Sequence, residues 1–325
     1  MLPKLVEVYR GKLVESVHRG AVVVVDQTGR ILEQWGDSGL VTYWRSAAKP
    51  VQAVTVVAGG VVEAYGLTGE EIALMTGSHG GETQHVRVIQ SILGKLGLGP
   101  EHLLCGIHPP TNKEAARELA AQGRQPEVWH HNCSGKHGGM LALAAHLRAD
   151  LGSYLDIHHP VQQRMLDTVA SFAQLPQGQI TVGIDGCGVP VYGMPLSNMA
   201  LAFARLTGDG AGEAARRVVE NMLAHPEMVA GTNSFDTQLI KVTDGKVIAK
   251  IGAEGVYCVG LVGRGIGLAA KVEDGNTRAL PPVVVEFLDR IRVLLPDELA
   301  LLKSFHQPEV KNHRGEKVGE IKVII

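Results

Sequence analysis

The sequence predicts an α+β fold with layered elements, in which an antiparallel sheet made by both chain ends is flanked by helices. Strand-like runs at 21–36 and 246–275 lie towards the two ends, and the segments between them are mainly helix-like. We therefore expect a single domain over residues 1–325, built of two interleaved lobes. The sheet lobe takes about 1–45 and 240–325, and the mainly helical lobe takes about 46–239.

Local signals predict the elements of the first half. A β-branched run at 21–25, a turn at 26–29 and a second alternating run predict two paired strands. Residues 47–65 are small and apolar on every face, which predicts a helix buried between layers. Thr68 is placed to cap the next helix, and a glycine-flanked turn at 77–81 precedes another helix.

The second half is predicted in the same way. Its expected elements are helices near 113–122, 134–149 and 160–174, a strand running into a glycine-rich turn at 180–196, an antiparallel meander at 246–275, a helix at 280–294 and a terminal strand at 319–325. Pro160 fits the first turn of its helix, where a missing N–H costs nothing. Alternation broken at glycines predicts the meander.

Charge and hydropathy narrow the kind of partner. The formal net charge is −2 and no run of Lys or Arg exceeds two residues, so nucleic acid and anionic lipid are not expected partners. No apolar run reaches about 18 residues and the N-terminus has no apolar signal-peptide core, so we expect a cytoplasmic protein without membrane spans. A small-molecule substrate or another protein chain remains the expected partner.

A hydroxyl and an ammonium stand three residues apart in "RSAAKP" (45–50), at the expected start of the buried helix. Residues i and i+3 share a helix face, so Ser46 and Lys49 are expected to meet. Burial would lower the pKa of Lys49 and make it a general base for a serine nucleophile. The alternative is a plain N-cap serine beside a lysine that extends to the surface.

Two further segments could complete such a site. Ser78 lies between glycines that allow a ligand to approach the backbone closely, although an ordinary loop serine is the alternative. Lys250-Ile251-Gly252 has the lysine-x-glycine form that serine-lysine hydrolases place across the pocket from the nucleophile. The order of these segments along the chain favours a serine-lysine hydrolase.

The segment "HHNCSGKHGGML" (130–141) concentrates side chains that can bind a metal. Cys133 and His137 at i, i+4 would make half of a zinc site, and Cys187 could supply another thiolate with Asp185 beside it. Two buried or turn cysteines are the alternative. The four cysteines of the chain are too few and too scattered for a disulfide framework.

Seven strings together make the sequence resemble the bacterial asparaginase II family of the rhizobial type. They are "RSAAKPVQA" (45–53), "IALMTGSHGGE" (72–82), "NCSGKHGGML" (132–141), "IDGCGVP" (184–190), "AHPEMVAG" (224–231), "AKIGA" (249–253) and "KVEDGN" (271–276). The resemblance implies a serine β-lactamase/glutaminase-like fold and hydrolysis of L-asparagine to L-aspartate and ammonia. It also implies a homodimer, a bound zinc ion and no organic cofactor.

The resemblance also implies roles for individual residues. Two catalytic Ser-Lys pairs fall on Ser46 with Lys49 and on Ser78 with Lys250. The zinc ligands of the family fall on Cys133, Lys136 and Cys187. A lysine ligand replaces the histidine that the spacing favoured, and it must be neutral, which requires a strongly depressed pKa. Arg45, His137 and Asp185 are expected to bind substrate, since they are near the matched residues in sequence; a surface arginine and ordinary polar loop residues are the alternatives.

In the expected mechanism, Lys49 takes the proton of Ser46, whose oxygen attacks the side-chain amide, while Ser78 and Lys250 relay protons or hold the amide. Which of the two serines attacks stays open. One departure is Gly80-Gly81, where hydroxyl residues are expected, and it affects substrate affinity and selectivity. Three alternatives stay open: a glutaminase or penicillin-recognising hydrolase of the same fold, a zinc-dependent amidohydrolase whose metal-bound water attacks, and a non-enzymatic amino-acid-binding protein.

Overall fold

Two antiparallel sheets contain all the β-strands of the computed structural model, which describes residues 1–325. The strands are β1 (Lys4–Arg10), β2 (Leu13–Asp26), β3 (Ile31–Trp35), β4 (Val41–Tyr43), β5 (Thr181–Ile184), β6 (Pro190–Pro195), β7 (Val247–Gly252), β8 (Val256–Leu261), β9 (Ile266–Val272), β10 (Glu309–Lys311) and β11 (Lys317–Val323).

The large sheet is built from both ends of the chain. Its strand order is β10-β11-β1-β2-β9-β8-β7, and β3 also pairs with β2. Val6 pairs with Val323 and Val23 pairs with Ala269, so the N-terminal strands lie between C-terminal ones. The predicted fold class, an antiparallel sheet from both chain ends with flanking helices, is therefore confirmed.

Helices occupy most of the chain between the two groups of strands and part of the C-terminal region. They are α1 (Lys49–Ala58), α2 (Val61–Tyr65), α3 (Gly69–Met75), α4 (Thr83–Leu96), α5 (Lys113–Ala121), α6 (Ser134–His146), α7 (Pro160–Ala173), α8 (Leu196–Thr207), α9 (Glu213–Ala224), α10 (Pro226–Ala230), α11 (Phe235–Val242), α12 (Leu280–Arg290), α13 (Pro296–Leu301) and α14 (Lys303–His306). None combines the length and apolar character that crossing a membrane requires.

The helix predicted at 47–65 is interrupted in the structure. Residues 45–48 form a 3-10 turn, α1 ends at Ala58 and α2 begins at Val61. Gly60 has φ +78° between the two helices, a left-handed conformation that glycine adopts without a steric penalty. The predicted burial is correct, since every residue of α1 except the last is buried.

The segment 180–196 also differs from the expectation of one strand. It folds as the hairpin of β5 and β6, and β4 pairs with β6 to complete a small three-stranded sheet. Asp185 and Cys187 lie in the turn of this hairpin, where the Asp185 N–H donates to the Val189 carbonyl. The hairpin thus holds two of the predicted site residues on a short, fixed loop.

Helix α8 packs against β2, β8 and β9 of the large sheet. Gly267 on β9 allows this contact, because a Cβ atom there would lie only 1.9 Å from the Ala200 carbonyl oxygen. The β2 residues Ala21–Val25 are all fully buried, so both faces of this strand are covered. The sheet therefore provides a rigid support for the residues that its strands carry.

Candidate active site

Lys49 is the first residue of α1 and its side chain is fully buried. Its Nζ donates to the Gly77 carbonyl at 2.6 Å, to Ser78 Oγ at 3.0 Å and to the Asn132 carbonyl at 3.4 Å. These acceptors match the three N–H donors of an ammonium group, so the buried group is fully hydrogen-bonded. Lys49 thereby joins α1 to the loop before α4 and to the start of α6.

Ser46 does not make the predicted side-chain contact with Lys49. It lies in the 3-10 turn at 45–48, is half-buried, and has a hydroxyl that makes no hydrogen bond within the protein. The Lys49 backbone N–H donates to the Ser46 carbonyl, while the lysine side chain extends towards Ser78. The expected side-chain hydrogen bond is absent because the acceptors of Lys49 lie on other segments, and the catalytic pairing of Ser46 with Lys49 stays a prediction.

Ser78 lies in the tight loop between α3 and α4. Its backbone N–H donates to the Val229 carbonyl at 2.8 Å, and Gly77 brings the chain close to α10, since a Cβ atom there would lie 2.3 Å from the Met228 carbonyl oxygen. The hydroxyl of Ser78 is half-buried and accepts from Lys49. In this structure Ser78 hydrogen-bonds to Lys49 and not to Lys250, and the catalytic pairing of Ser78 with Lys250 stays a prediction.

The glycines at 80 and 81 have a packing reason in this chain. A Cβ atom at Gly80 would lie 2.9 Å from Asn112 Cβ, and one at Gly81 would lie 3.0 Å from both Pro110 Cβ and the His130 carbonyl oxygen. Gly81 also has φ +73°, which favours glycine. The neighbouring loop therefore occupies the space that the expected hydroxyl side chains would need.

Lys250 is fully buried on β7, which packs against the 3-10 turn that carries Ser46. Its Nζ donates to the Ile251 carbonyl at 2.9 Å and lies 3.7 Å from Asp236 Oδ2. Burial lowers the pKa of Lys250 to about 8, with the charge of Lys49 acting in the same direction and Asp236 opposing both. Lys250 can therefore gain or lose a proton near neutral pH.

Asp236 is a site residue that the sequence reasoning missed. It lies in the first turn of α11, is 2% exposed, and its Oδ2 accepts from the Ile251 N–H at 2.9 Å. An acidic residue in a helical first turn is common, so no local signal distinguished it from a surface carboxylate. Only the packing of α11 against β7 brings it next to Lys250.

Arg45 and Asp185, both predicted to bind substrate, form an ion pair with 2.9 Å between Nε and Oδ1. Arg45 is half-buried and has φ +53°, a left-handed conformation that costs a non-glycine residue about 1 kcal/mol or more. Strain of this kind persists where the surroundings fix the residue, often at functional sites. The pair holds opposite charges side by side, immediately before Ser46 in the chain.

The three predicted zinc ligands come together. Cys133, Lys136 and Cys187 are all buried, and Lys136 Nζ lies 3.1 Å from Cys187 Sγ. The pKa of the Cys133 thiol is well below its ordinary value. A hydrogen bond from Cys187 and the charges of Lys49 and Lys136 lower it, and they outweigh the opposing effect of burial. The same hydrogen bond and burial raise the pKa of Cys187.

The donor set fits zinc, because two thiolates and a nitrogen are ligands that Zn²⁺ prefers. No group of three or more His, Cys, Asp or Glu side chains forms a metal site, so the third protein ligand here would have to be Lys136. Burial lowers the pKa of Lys136, but Cys187, Cys133 and Asp185 outweigh it and raise the pKa. This direction is opposite to the expected one, so zinc binding would have to displace the lysine proton.

His137 is fully buried one residue after Lys136. Its Nδ1 lies 2.7 Å from the Tyr154 hydroxyl, whereas its Nε2 has no hydrogen-bond partner in the protein. Burial, with the charge of Lys136, holds the pKa of His137 well below its ordinary value, so the ring is neutral. A buried polar atom without a partner is costly, and the expected role of His137 in substrate binding stays a prediction.

Solved structures with partial similarity to this chain include several of a protein called Mglu. One, a native form in 4.3 M NaCl, shares 16% identity with a TM-score of 0.38, and the match covers 86% of this chain and 63% of the Mglu chain. A candidate β-lactamase from Bacteroides dorei shares 13% identity with a TM-score of 0.43, covering 83% of this chain and 93% of its own. Scores of this size carry no argument about function.

The curated proteins include no match to this chain. The family model described as L-asparaginase II matches residues 6–323 and so includes every residue of the candidate site. This match confirms the resemblance read from the seven strings. The chain therefore belongs to the L-asparaginase II family.

Proposed function

We propose that this amidohydrolase converts L-asparagine and water to L-aspartate and ammonia through a Ser-Lys acyl-enzyme. The observation that carries the proposal is the buried Lys49 Nζ, 3.0 Å from Ser78 Oγ, with the free hydroxyl of Ser46 on the preceding turn. A buried lysine in hydrogen-bond reach of a serine is the arrangement that activates serine nucleophiles without a histidine. Family membership supports the same chemistry.

The Arg45–Asp185 ion pair supports recognition of an α-amino acid. A free amino acid presents a carboxylate and an ammonium on one carbon, and a guanidinium beside a carboxylate complements both. A substrate held by this pair would have its side-chain amide next to Ser46, the residue that follows Arg45. His137 Nε2 supplies an additional polar contact for the substrate.

In the proposed reaction Lys49 acts as the neutral amine, which keeps the Gly77 and Asn132 carbonyls as acceptors and turns its lone pair to the Ser78 hydroxyl. Ser46 Oγ attacks the side-chain amide carbon, and its proton passes through the Ser78 hydroxyl to Lys49 Nζ, which becomes the ammonium. The tetrahedral intermediate collapses as the C–N bond breaks, and the nitrogen leaves as ammonia after receiving a proton from the site. Water then adds to the acyl carbon, the C–O bond to Ser46 breaks, and the serine recovers its proton. Aspartate is the second product.

We also propose a zinc ion at Cys133, Lys136 and Cys187, where the donor set supports it. When bound, the ion would supply a fixed positive charge beside the Arg45–Asp185 pair. Of the three side chains, Cys187 is next to the Arg45–Asp185 ion pair, since its Sγ lies 4.0 Å from Asp185 Oδ2. The homodimer and the cytoplasmic location stay predictions.

The test measures ammonia release from asparagine and from glutamine by the wild type and by two serine variants. Ser46→Ala is expected to abolish turnover, and Ser78→Ala to reduce kcat by at least about 100-fold, since it removes the proton partner of Lys49. Ser171→Ala, at an exposed position on α7, is the matched control and should retain full activity. Mass spectrometry of rapidly quenched enzyme should find the acyl group on the peptide that contains Ser46.

The outcomes separate the alternatives. An acyl group on Ser78 would exchange the roles of the two serines, and faster turnover of glutamine would make the protein a glutaminase. Activity that survives in both serine variants but disappears on chelation would favour attack by metal-bound water. Saturable binding of asparagine without ammonia release would leave a binding protein.

A further inference from the structure

We propose that Asp236 is a positioning residue for this site, holding Lys250 in place and in its charged form so that Lys250 protonates the departing nitrogen. The inference rests on the proposed amide hydrolysis and adds a residue to it. In this step an N–H bond of the Lys250 ammonium breaks as the leaving nitrogen takes the proton, and the C–N electron pair leaves with that nitrogen. The resulting amine takes a proton from the water that attacks the acyl-enzyme, which restores the ammonium.

The backbone of β7 and the ammonium of Lys250 hold the carboxylate of Asp236 in a fixed position. One oxygen accepts from the Ile251 N–H at 2.9 Å and lies 3.7 Å from Lys250 Nζ. A carboxylate that is 2% exposed needs partners of this kind, because burial of an unpaired charge is very costly. The Tyr257 side chain on β8 is a neighbour of this carboxylate, although its hydroxyl makes no hydrogen bond.

The Lys250 ammonium retains one unused donor. Of its three N–H groups, one donates to the Ile251 carbonyl and one is directed to Asp236 by the ion pair. No third protein acceptor lies within hydrogen-bond distance, so one N–H remains for a substrate atom. Lys49 differs, since all three of its N–H groups have protein acceptors.

Charged and titratable groups surround Lys250 from every neighbouring element. They are Asp236 on α11, Lys49 on α1, Cys133 before α6 and Cys258 on β8, and Tyr257 on β8 is a neighbour of Asp236. Asp236 and Cys133 favour the ammonium, whereas Lys49 and burial disfavour it. Asp236 is the carboxylate that forms an ion pair with Lys250, so its removal is expected to deprotonate the lysine at neutral pH.

Asp236→Asn tests the proposal, because asparagine keeps the shape and an acceptor oxygen but loses the charge. The alkaline limb of the kcat–pH profile, which reports the protonated lysine, should move down by about 1–3 pH units. At pH 7 kcat should fall about twofold for a shift of one unit and about 90-fold for a shift of three, as the protonated fraction of Lys250 falls from a pKa of about 8. KM should change little, since Asp236 does not touch the substrate. Tyr257→Phe is the matched control: it removes a neighbour of the same carboxylate without changing charge and should leave the profile in place.

NMR titration of ¹³Cε-lysine-labelled protein, with Lys250 assigned through Lys250→Met, gives a readout that does not need turnover. The Lys250 midpoint should fall in Asp236→Asn by the same amount as the kinetic limb. An unchanged midpoint and an unchanged profile in folded Asp236→Asn would overturn the proposal. A shifted midpoint in a protein that releases no ammonia from asparagine would preserve the role of Asp236 and reject the proposed substrate.

A second variant addresses failure of Asp236→Asn to fold. The double variant Asp236→Asn/Lys250→Met removes both charges, so it should fold even where the single variant, with its unpaired buried ammonium, does not. An unfolded double variant would show that Asp236 serves the packing of α11 alone, and this would also overturn the proposal.

Discussion

Gly135 on α6 provides a sharp test of how the helices fix the candidate metal ligands. A Cβ atom at this position would lie 2.4 Å from the Leu74 carbonyl oxygen and 2.7 Å from Leu74 Cγ. Neither the backbone of α3 nor that of α6 can move aside without disturbing its helix. Gly135→Ala is therefore expected to push apart α3 and the start of α6, between Cys133 and Lys136.

The expected magnitude follows from two opposing effects. Forcing extra volume into a packed contact costs about 1–3 kcal/mol, and a backbone obstacle favours the upper half of that range. Alanine regains about 0.5–1 kcal/mol over glycine in a helix. The net free energy of unfolding should thus fall by about 1–2.5 kcal/mol, or a few degrees in Tm for a chain of this size.

Urea unfolding followed by circular dichroism measures this change, with Gly139→Ala as the matched control on the same helix. A Cβ atom at Gly139 would meet the flexible end of Met75, whose Sδ is 3.0 Å away and can rotate. That variant should be neutral or slightly stabilised. The reasoning would be refuted if Gly135→Ala were as stable as Gly139→Ala, or if it bound zinc and turned over substrate like the wild type.

Three further predictions concern charge and metal. Burial raises the pKa of Glu71, but hydrogen bonds from Lys95, Thr68 and Ser91 outweigh it and lower that pKa, so ionised Glu71 should stabilise the fold above about pH 4.5. In urea unfolding, wild type should be more stable than Glu71→Gln at neutral pH. This difference should disappear as the pH falls through the lowered pKa. Asp185→Asn should raise KM for asparagine at least about tenfold with a smaller effect on kcat, because it breaks the ion pair with Arg45; an unchanged KM would remove the pair from substrate binding. Cys187→Ser should lose most of the zinc measured by elemental analysis of purified protein, and equal metal content in both would reject the site.

Local pattern was sufficient for much of the fold. The β-branched run in β2 and the glycine-broken alternation of β7 to β9 specify strands, because both signals depend only on neighbouring residues. The end of α1 was missed because the apolar pattern continues past Ala58 to Tyr65, although Gly60 between the two helices takes a left-handed conformation. The second strand of the hairpin at 180–196 was missed because proline and glycine obscure its alternation.

Side-chain partners were harder to predict than elements. The spacing of Ser46 and Lys49 suggested a contact between their side chains. A lysine side chain is long enough to reach acceptors on another segment, and Lys49 donates to Ser78 instead. Residues paired across the fold, such as Lys250 with Asp236, have no signature in local sequence. The resemblance to a family supplied the set of site residues, and only the packing of the chain supplied their pairings.

The placement of N-terminal strands between C-terminal ones has a consequence for synthesis of the protein. Strand β2 pairs with β9, and β1 pairs with β11. During synthesis, β1 and β2 therefore cannot form these pairings until the C-terminal strands have been translated. During that time the apolar run Ala21–Val25 has an unpaired edge, which is a template for aggregation. Such distant pairing also slows folding, so chaperone dependence in the cell should exceed what the stability of the finished protein suggests.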